Sequence, residues 1–260
     1  RKTTIKARFL KGMILSVIIS VVVVTAISTL SLYLVLMKTV KKDSLHTINA
    51  YSSYLDSVIA GLRNRIESVA SNPNTFDKSI SIEKRKELLE IAAKDASFTD
   101  FSVSDFNGKT YNNTDISDRE YFKAAKNGIT YISSPVIRKT DNSLVMMCGT
   151  KISAPGFDGV LYGGLGFSFF KDIVEKINIG DDSVGFIIDK TGTVIAHPDS
   201  QATADFTNYS TLGSTDKKYK ELGEFTQLAT KGDYKTNIIK LGEKRYYIAS
   251  GAISGSDGWS

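Results

Sequence analysis

Residues 98–111, FTDFSVSDFNGKTY, alternate loosely between apolar and polar positions, turn tightly at Asn107-Gly108 and leave through Lys109-Thr110-Tyr111. That is the pattern of a β-hairpin. The chain repeats it in residues 184–196, VGFIIDKTGTVIA. Aligned on Asp105 with Gly108 and Asp189 with Gly192, both segments read strand, D-x-x-G, strand. An aspartate can cap its own turn and a glycine accepts positive φ, so the local chemistry explains the motif. One such hairpin occurs in many antiparallel sheets. Two, each followed by a helix and further strands, predict a duplicated module.

In the first module, Ser117-Asp118-Arg119-Glu120 has the form of a capping box, opening a helix to about Asn127 that Gly128 stops. Strands are predicted over residues 144–152 and 160–167, joined by the turn PGFDG, and a helix over residues 169–177 crosses to the second module. There a polar stretch, residues 199–215, leads to a helix over 218–229 and strands over 234–240 and 244–252. Trp259 and Ser260 fall in what should be a last strand.

Toward the N-terminus the texture changes. Residues 12–37 carry no charge, and the eleven positions before them hold Arg1, Lys2, Lys6, Arg8 and Lys11 with no acid. At about 1.5 Å of rise per residue such a helix is long enough for a hydrocarbon core of about 30 Å. The basic flank predicts a cytoplasmic N-terminus, with everything after Met37 exported. The run is too long for a signal peptide and no A-x-A site follows it. Beyond it, Ile48, Tyr51, Leu55, Val58, Leu62, Ile66 and Val69 recur every three or four residues, which extends the helix to about Ala70. Ser71-Asn72-Pro73-Asn74 ends it. This apolar stripe faces its own domain, and its period also suits a homodimer.

The formal charge of +5 equals the five basic residues of the tail, so the rest of the chain is balanced. A nucleic-acid partner, which calls for a basic folded domain, loses its support. One cysteine, Cys148, leaves no intramolecular disulfide. With two histidines, His46 in the stalk and His197 after the second hairpin, neither a metal site nor a catalytic constellation assembles from the sequence. No cofactor motif is present; Gly163-Gly164-Leu165-Gly166 lacks the lysine and hydroxyl of a phosphate loop.

The order of anchor, long helix, D-x-x-G hairpin, DISDREYF (residues 115–122), YISSP (131–135), and GFIID (185–189) leading to His197-Pro198-Asp199 resembles a double Cache sensor domain over roughly residues 38–260. The resemblance implies an α+β fold: a long N-terminal helix, then two PAS-like antiparallel-sheet modules. Its divisions are a cytoplasmic basic tail (1–11), a transmembrane helix (12–37), a stalk helix (38–72), a membrane-distal ligand-binding module (73–178) and a membrane-proximal module (179–260). It further implies a non-enzymatic, extracytoplasmic small-molecule sensor in a bacterial inner membrane. Residues 5–10, IKARFL, resemble the start of many methyl-accepting chemotaxis proteins. The family's other outputs, histidine kinase and diguanylate cyclase, are the alternative.

Arg119 with Tyr121 and Phe122 is the candidate binding group. A guanidinium pairs two ways with a carboxylate, and aromatic walls desolvate the pair. The competing reading is a surface ion pair of Arg119 with Asp118 or Glu120. Tyr131 and Ser133 lie on a strand expected to border the same pocket. Amino-acid-binding members of the family carry Arg, one residue, two aromatics, and a later aspartate for the ligand's ammonium. Here Ser168 stands where that aspartate is expected. A serine cannot neutralise a buried ammonium, so the expected ligand is a carboxylate or another small polar metabolite.

Overall fold

Both D-x-x-G turns close by the same chemistry. The Asp105 carboxylate accepts from the backbone N–H groups of Asn107 (2.9 Å) and Lys109 (2.8 Å), and Gly108 sits at φ +81°. Asp189 likewise accepts from Thr191 (2.8 Å) and Thr193 (3.0 Å), with Gly192 at φ +85°. The structure is a computed structural model that describes residues 5–166, 168–177, 183–232 and 235–260, and it divides into two units, residues 1–46 and 47–260.

Helix α1, Ile5–Ala70, makes up the described part of the first unit and opens the second. In the first unit Val21, Val22, Val23 and Val24 all lie open on the helix surface, as do the neighbouring isoleucines and leucines. That surface has the length and composition to cross a membrane. In the second unit one stripe of the same helix, Leu55, Ile59, Leu62, Ile66 and Ala70, is buried in the core.

After α1 come α2 (Pro73–Phe76) and α3 (Ile82–Asp95). The sequence does not announce α3. Its buried face is Arg85, Leu89 and Ala93, so a charge and a methyl group stand where an apolar stripe would announce a helix. Ser81 caps it, accepting from the Lys84 N–H at 3.2 Å.

The first sheet contains β1 (Asp100–Asp105), β2 (Tyr131–Ile132), β3 (Val136–Ile137), β4 (Leu144–Lys151) and β5 (Gly159–Leu165). Its order is β1-β5-β4-β2, all antiparallel, with β3 pairing β4. Alternation sorts the side chains to two faces. Phe101, Val103, Met146, Cys148, Leu161 and Leu165 join the core of α1 and α3. Val145, Met147, Val160 and Tyr162 face the other way, toward α4 (Glu120–Lys126). With both faces covered, β4 and β5 read as nearly continuous apolar runs.

The expected capping box does not form. Asp115 accepts from the Ser117 N–H at 2.9 Å, closing an Asx turn one step early, and the helix cap passes to Arg119, whose side chain makes no capping bond. Gly128 ends the segment at φ +83°, as the sequence indicates.

Helix α5 (Ser168–Val174) leads to β6 (Ile187–Ile188) and β7 (Val194–Ala196), then α6 (Ser200–Ala204), α7 (Tyr209–Thr215), a 3-10 turn at Lys217–Tyr219 and α8 (Lys220–Ala229). The hairpin β8 (Lys235–Leu241) with β9 (Lys244–Ser250) follows. Ile188 exchanges both backbone hydrogen bonds with Ser260, at 2.8 and 2.9 Å, which places the last residues beside β6. The two modules thus share their opening hairpin and their antiparallel pairing.

Candidate functional site

On the α4 face of the first sheet the packing stops short and leaves a cavity of about 400 Å³. That volume suits a small ligand. Its floor is sheet: Asp100 and Ser102 from β1, Met147 from β4 and Tyr162 from β5. Its walls are Lys86 and Leu89 from α3, Tyr111 and its neighbours after the first hairpin, Arg119 and Tyr121 at α4, and Arg138, Lys139 and Thr140 after β3.

Four cations therefore line it, Lys86, Arg119, Arg138 and Lys139, and their partners differ. Arg138 forks onto Asp100, with Nη1 to Oδ2 and Nη2 to Oδ1 both at 3.0 Å. Gly164 makes room for that pair, because a Cβ there would collide with the guanidinium and with the Asp100 carboxylate. The Arg138 Nε is buried with no acceptor. Lys139 donates to the Asp118 carboxylate and to the Asp115 carbonyl. The lysine's hydrogen bond holds the Asp118 carboxyl below its ordinary value. Arg119 donates from Nη2 to the Ile137 carbonyl at 2.9 Å, and Lys86 stands 5.8 Å over the Tyr111 ring. The aromatic wall pairs Tyr121 with Tyr162, ring centroids 5.8 Å apart. Burial raises both phenols above their ordinary value, so both stay protonated as donors.

Of the residues singled out in the sequence, Arg119 and Tyr121 line the cavity. Asp118 lies beside it, paired to Lys139. Phe122 is buried in the apolar cluster under α4. Ser133 is buried on β4's flank, where its hydroxyl accepts from the Met147 N–H at 2.9 Å. The side chain of Ser168 lies outside the described residues. Tyr131 points away to a junction between the modules, donating to Asp257 at 2.9 Å.

That junction ties several elements together. Lys190, in the second D-x-x-G turn, donates to the same Asp257 at 2.7 Å, and Ser134 donates to Asp189 at 3.1 Å. Two residues away, the Gly255 N–H donates to Asp56 of α1 at 2.8 Å, and Trp259 packs edge-on against Phe170 of α5. The Lys190 hydrogen bond, opposed by desolvation and aided by Tyr131, holds the Asp257 carboxyl below its usual range. A depressed folded value stabilises the fold above the unfolded value of about 3.9, and that contribution fades as pH falls through the folded value. Asp257→Asn is expected to lower the thermal midpoint by about 2 °C or less at pH 7, because the pair is partly exposed. The gap between wild type and variant should close on acidification below about pH 4. A gap that widens there would refute the assignment, and scanning calorimetry across pH reads it.

Arg85 is the residue that the sequence did not flag. It is 6% exposed; its Nε donates to the Thr75 carbonyl (3.0 Å), Nη2 to the Asp77 carbonyl (3.0 Å) and Nη1 to the Tyr111 hydroxyl (2.8 Å). Its guanidinium also lies 5.0 Å over the Phe157 ring. It therefore fixes Tyr111 in the cavity wall.

Among the described residues no group of three or more His, Cys, Asp or Glu side chains is placed to hold a metal ion. Cys148 is buried, and burial pushes its thiol up to about 12, which leaves it inert.

No curated protein matches the chain. Solved structures with the same fold include the ligand-binding domain of the Pseudomonas aeruginosa amino acid chemoreceptor PctB in complex with L-Arg, at 19% identity, TM-score 0.63 and 84% coverage of each chain. The Campylobacter jejuni chemoreceptor Tlp3 domain with 4-methylisoleucine matches at 14% identity and TM-score 0.59, covering 85% of this chain and 88% of that one. The Pseudomonas fluorescens chemoreceptor CtaA domain with L-alanine matches at 16% identity and TM-score 0.58, over 85% and 93%. The Cache domain family model, in its double form, matches residues 35–260, and the chain belongs to that family.

Proposed function

We propose that the chain is the sensing region of a bacterial transmembrane chemoreceptor and that the cavity on the first sheet binds a small carboxylate. One observation carries the reading: Arg119 projects into a cavity of about 400 Å³ with a backbone carbonyl as its partner, so its remaining donors are available to a bound anion. The aromatic pair Tyr121 and Tyr162 supplies the desolvating wall.

Residues 73–178 would then be the membrane-distal, ligand-holding module and residues 179–260 the membrane-proximal one, exported on the anchor at residues 12–37. A ligand signals through its differential affinity for two arrangements of the protein, since equal affinity shifts nothing. The junction at Asp257 and the Gly255 contact to Asp56 give the C-terminal segment a grip on α1, the helix that continues into the anchor. Helix displacements of about 1 to 2 Å are the scale expected. The IKARFL tail favours chemotaxis as the output over a kinase or cyclase, and homodimerisation through the stalk helix completes the proposal.

A thermal-shift screen of the whole chain in detergent, against organic acids, amino acids, amines and purines, tests this reading. Carboxylates are expected to raise the midpoint. A response confined to amines or purines would overturn it.

A further inference from the structure

The charge of the cavity wall says more than that an anion binds. Resting on the carboxylate reading above, we infer that the cavity selects a small organic dianion over a zwitterion or a monoanion. Among the described residues that line it, Asp100 is the sole carboxylate. Both its oxygens are taken: Oδ2 accepts from Arg138 Nη1, and Oδ1 accepts from Arg138 Nη2, Thr99 Oγ1 and the Gly164 N–H. An ammonium group would have to compete for Asp100 with a guanidinium already forked onto it, whose side chain is 17% exposed and whose other carboxylate, Asp141, stands off at 3.8 Å. Asp100 is itself half-exposed, so the point is one of occupancy: the lining offers an ammonium no carboxylate that a guanidinium does not already hold.

The cations divide in the opposite sense. Arg138 is balanced by Asp100, and Lys139 by Asp118. Arg119 and Lys86 have no carboxylate within ion-pair distance among the described residues. They come from separate walls, Arg119 from the cap of α4 and Lys86 from α3. Two unmatched positive charges on different walls call for a ligand carrying two anionic groups. The remaining polar lining, Ser102, Thr110, Thr114 and the two protonated phenols, can donate hydrogen bonds to either group. A dicarboxylate and a phosphate monoester share this chemistry.

Isothermal titration of the whole chain in detergent with a matched set separates the alternatives. Succinate, malate and glycerol 3-phosphate supply dianions, butyrate a monoanion, and 4-aminobutyrate and L-valine zwitterions. At least one dianion is expected to bind about tenfold or more tighter than butyrate and both zwitterions, since each charge-assisted contact contributes on that scale. Whether succinate and malate or the phosphate ester leads identifies the second group. Lys86→Gln, on an exposed position, should bring the best dianion to within about twofold of butyrate. The dianion preference should also shrink with added salt. Butyrate or a zwitterion binding as tightly as every dianion, or a preference untouched by Lys86→Gln, would overturn the inference and leave carboxylate binding standing. If none of these anions binds, the carboxylate reading and the inference fall together.

Discussion

Arg119→Ala is expected to remove most of the ligand stabilisation while leaving the folded domain close to its wild-type midpoint. The side chain is half-buried, and its one hydrogen bond goes to the carbonyl of the exposed Ile137, so its removal costs the fold no more than about 1 kcal/mol. A carboxylate bound to it loses a charge-assisted, two-pronged contact, and an affinity drop of about 100-fold follows. A ligand at 100 times its dissociation constant stabilises wild type by about 2.7 kcal/mol, hence roughly 8 °C for a domain of this size. The same concentration would stabilise the variant by about 0.4 kcal/mol. Arg119→Lys keeps the charge without the fork and should fall between them. Paired thermal scans with and without ligand read all three, and an undiminished shift in Arg119→Ala would move the binding site elsewhere.

The largest effect on stability is expected from Arg85→Met. Replacing a whole buried polar cluster with apolar groups can be neutral, but this variant removes one member only. The carbonyl of Thr75 would lose a donor in a buried setting, and the carbonyl of Asp77 and the hydroxyl of Tyr111 would each lose one in a partly buried setting. Together with the lost contact over Phe157, the cost is about 3 kcal/mol, or roughly 10 °C in midpoint. Because Tyr111 borders the cavity, ligand affinity should weaken as well. Denaturant titration gives the stability change, and a loss under about 1 kcal/mol would show that water replaces the guanidinium at little cost.

The hairpins were legible because their chemistry is contained in four residues: Asp105 and Asp189 satisfy their own turns, and Gly108 and Gly192 adopt the positive φ. The buried stripe of α1 was legible for a similar reason, since period alone picks out Leu55, Leu62 and Ile66, although it names Val58, which is partly buried, where Ile59 is the fully buried residue. Competition between local motifs was not. Ser117 and Glu120 have capping-box spacing, but Asp115 reaches the Ser117 N–H first. Helix α3 hid because its inward face carries Arg85.

The cavity was half legible. Arg119 and Tyr121 could be found from one short segment, whereas Lys86, Asp100, Arg138 and Tyr162 come from four separate stretches that only the sheet brings together. The signals that existed were a tyrosine inside the apolar run GVLYGGL and the adjacent Arg138-Lys139 after β3. Phe122 packs in the apolar cluster under α4, not among the cavity's lining, for a geometric reason. Each helical residue turns by about 100°, so Tyr121 and Phe122 cannot both face one opening.

The most direct measurement is a structure of the protein crystallised with the tightest-binding acid from the titrations. The account predicts the acid in the cavity between β1, β5 and α4, with one anionic group about 3 Å from the Arg119 guanidinium and the Arg138–Asp100 pair intact. The same acid found in the second module, or held at a distance from Arg119 with the first-sheet cavity unchanged, would contradict it.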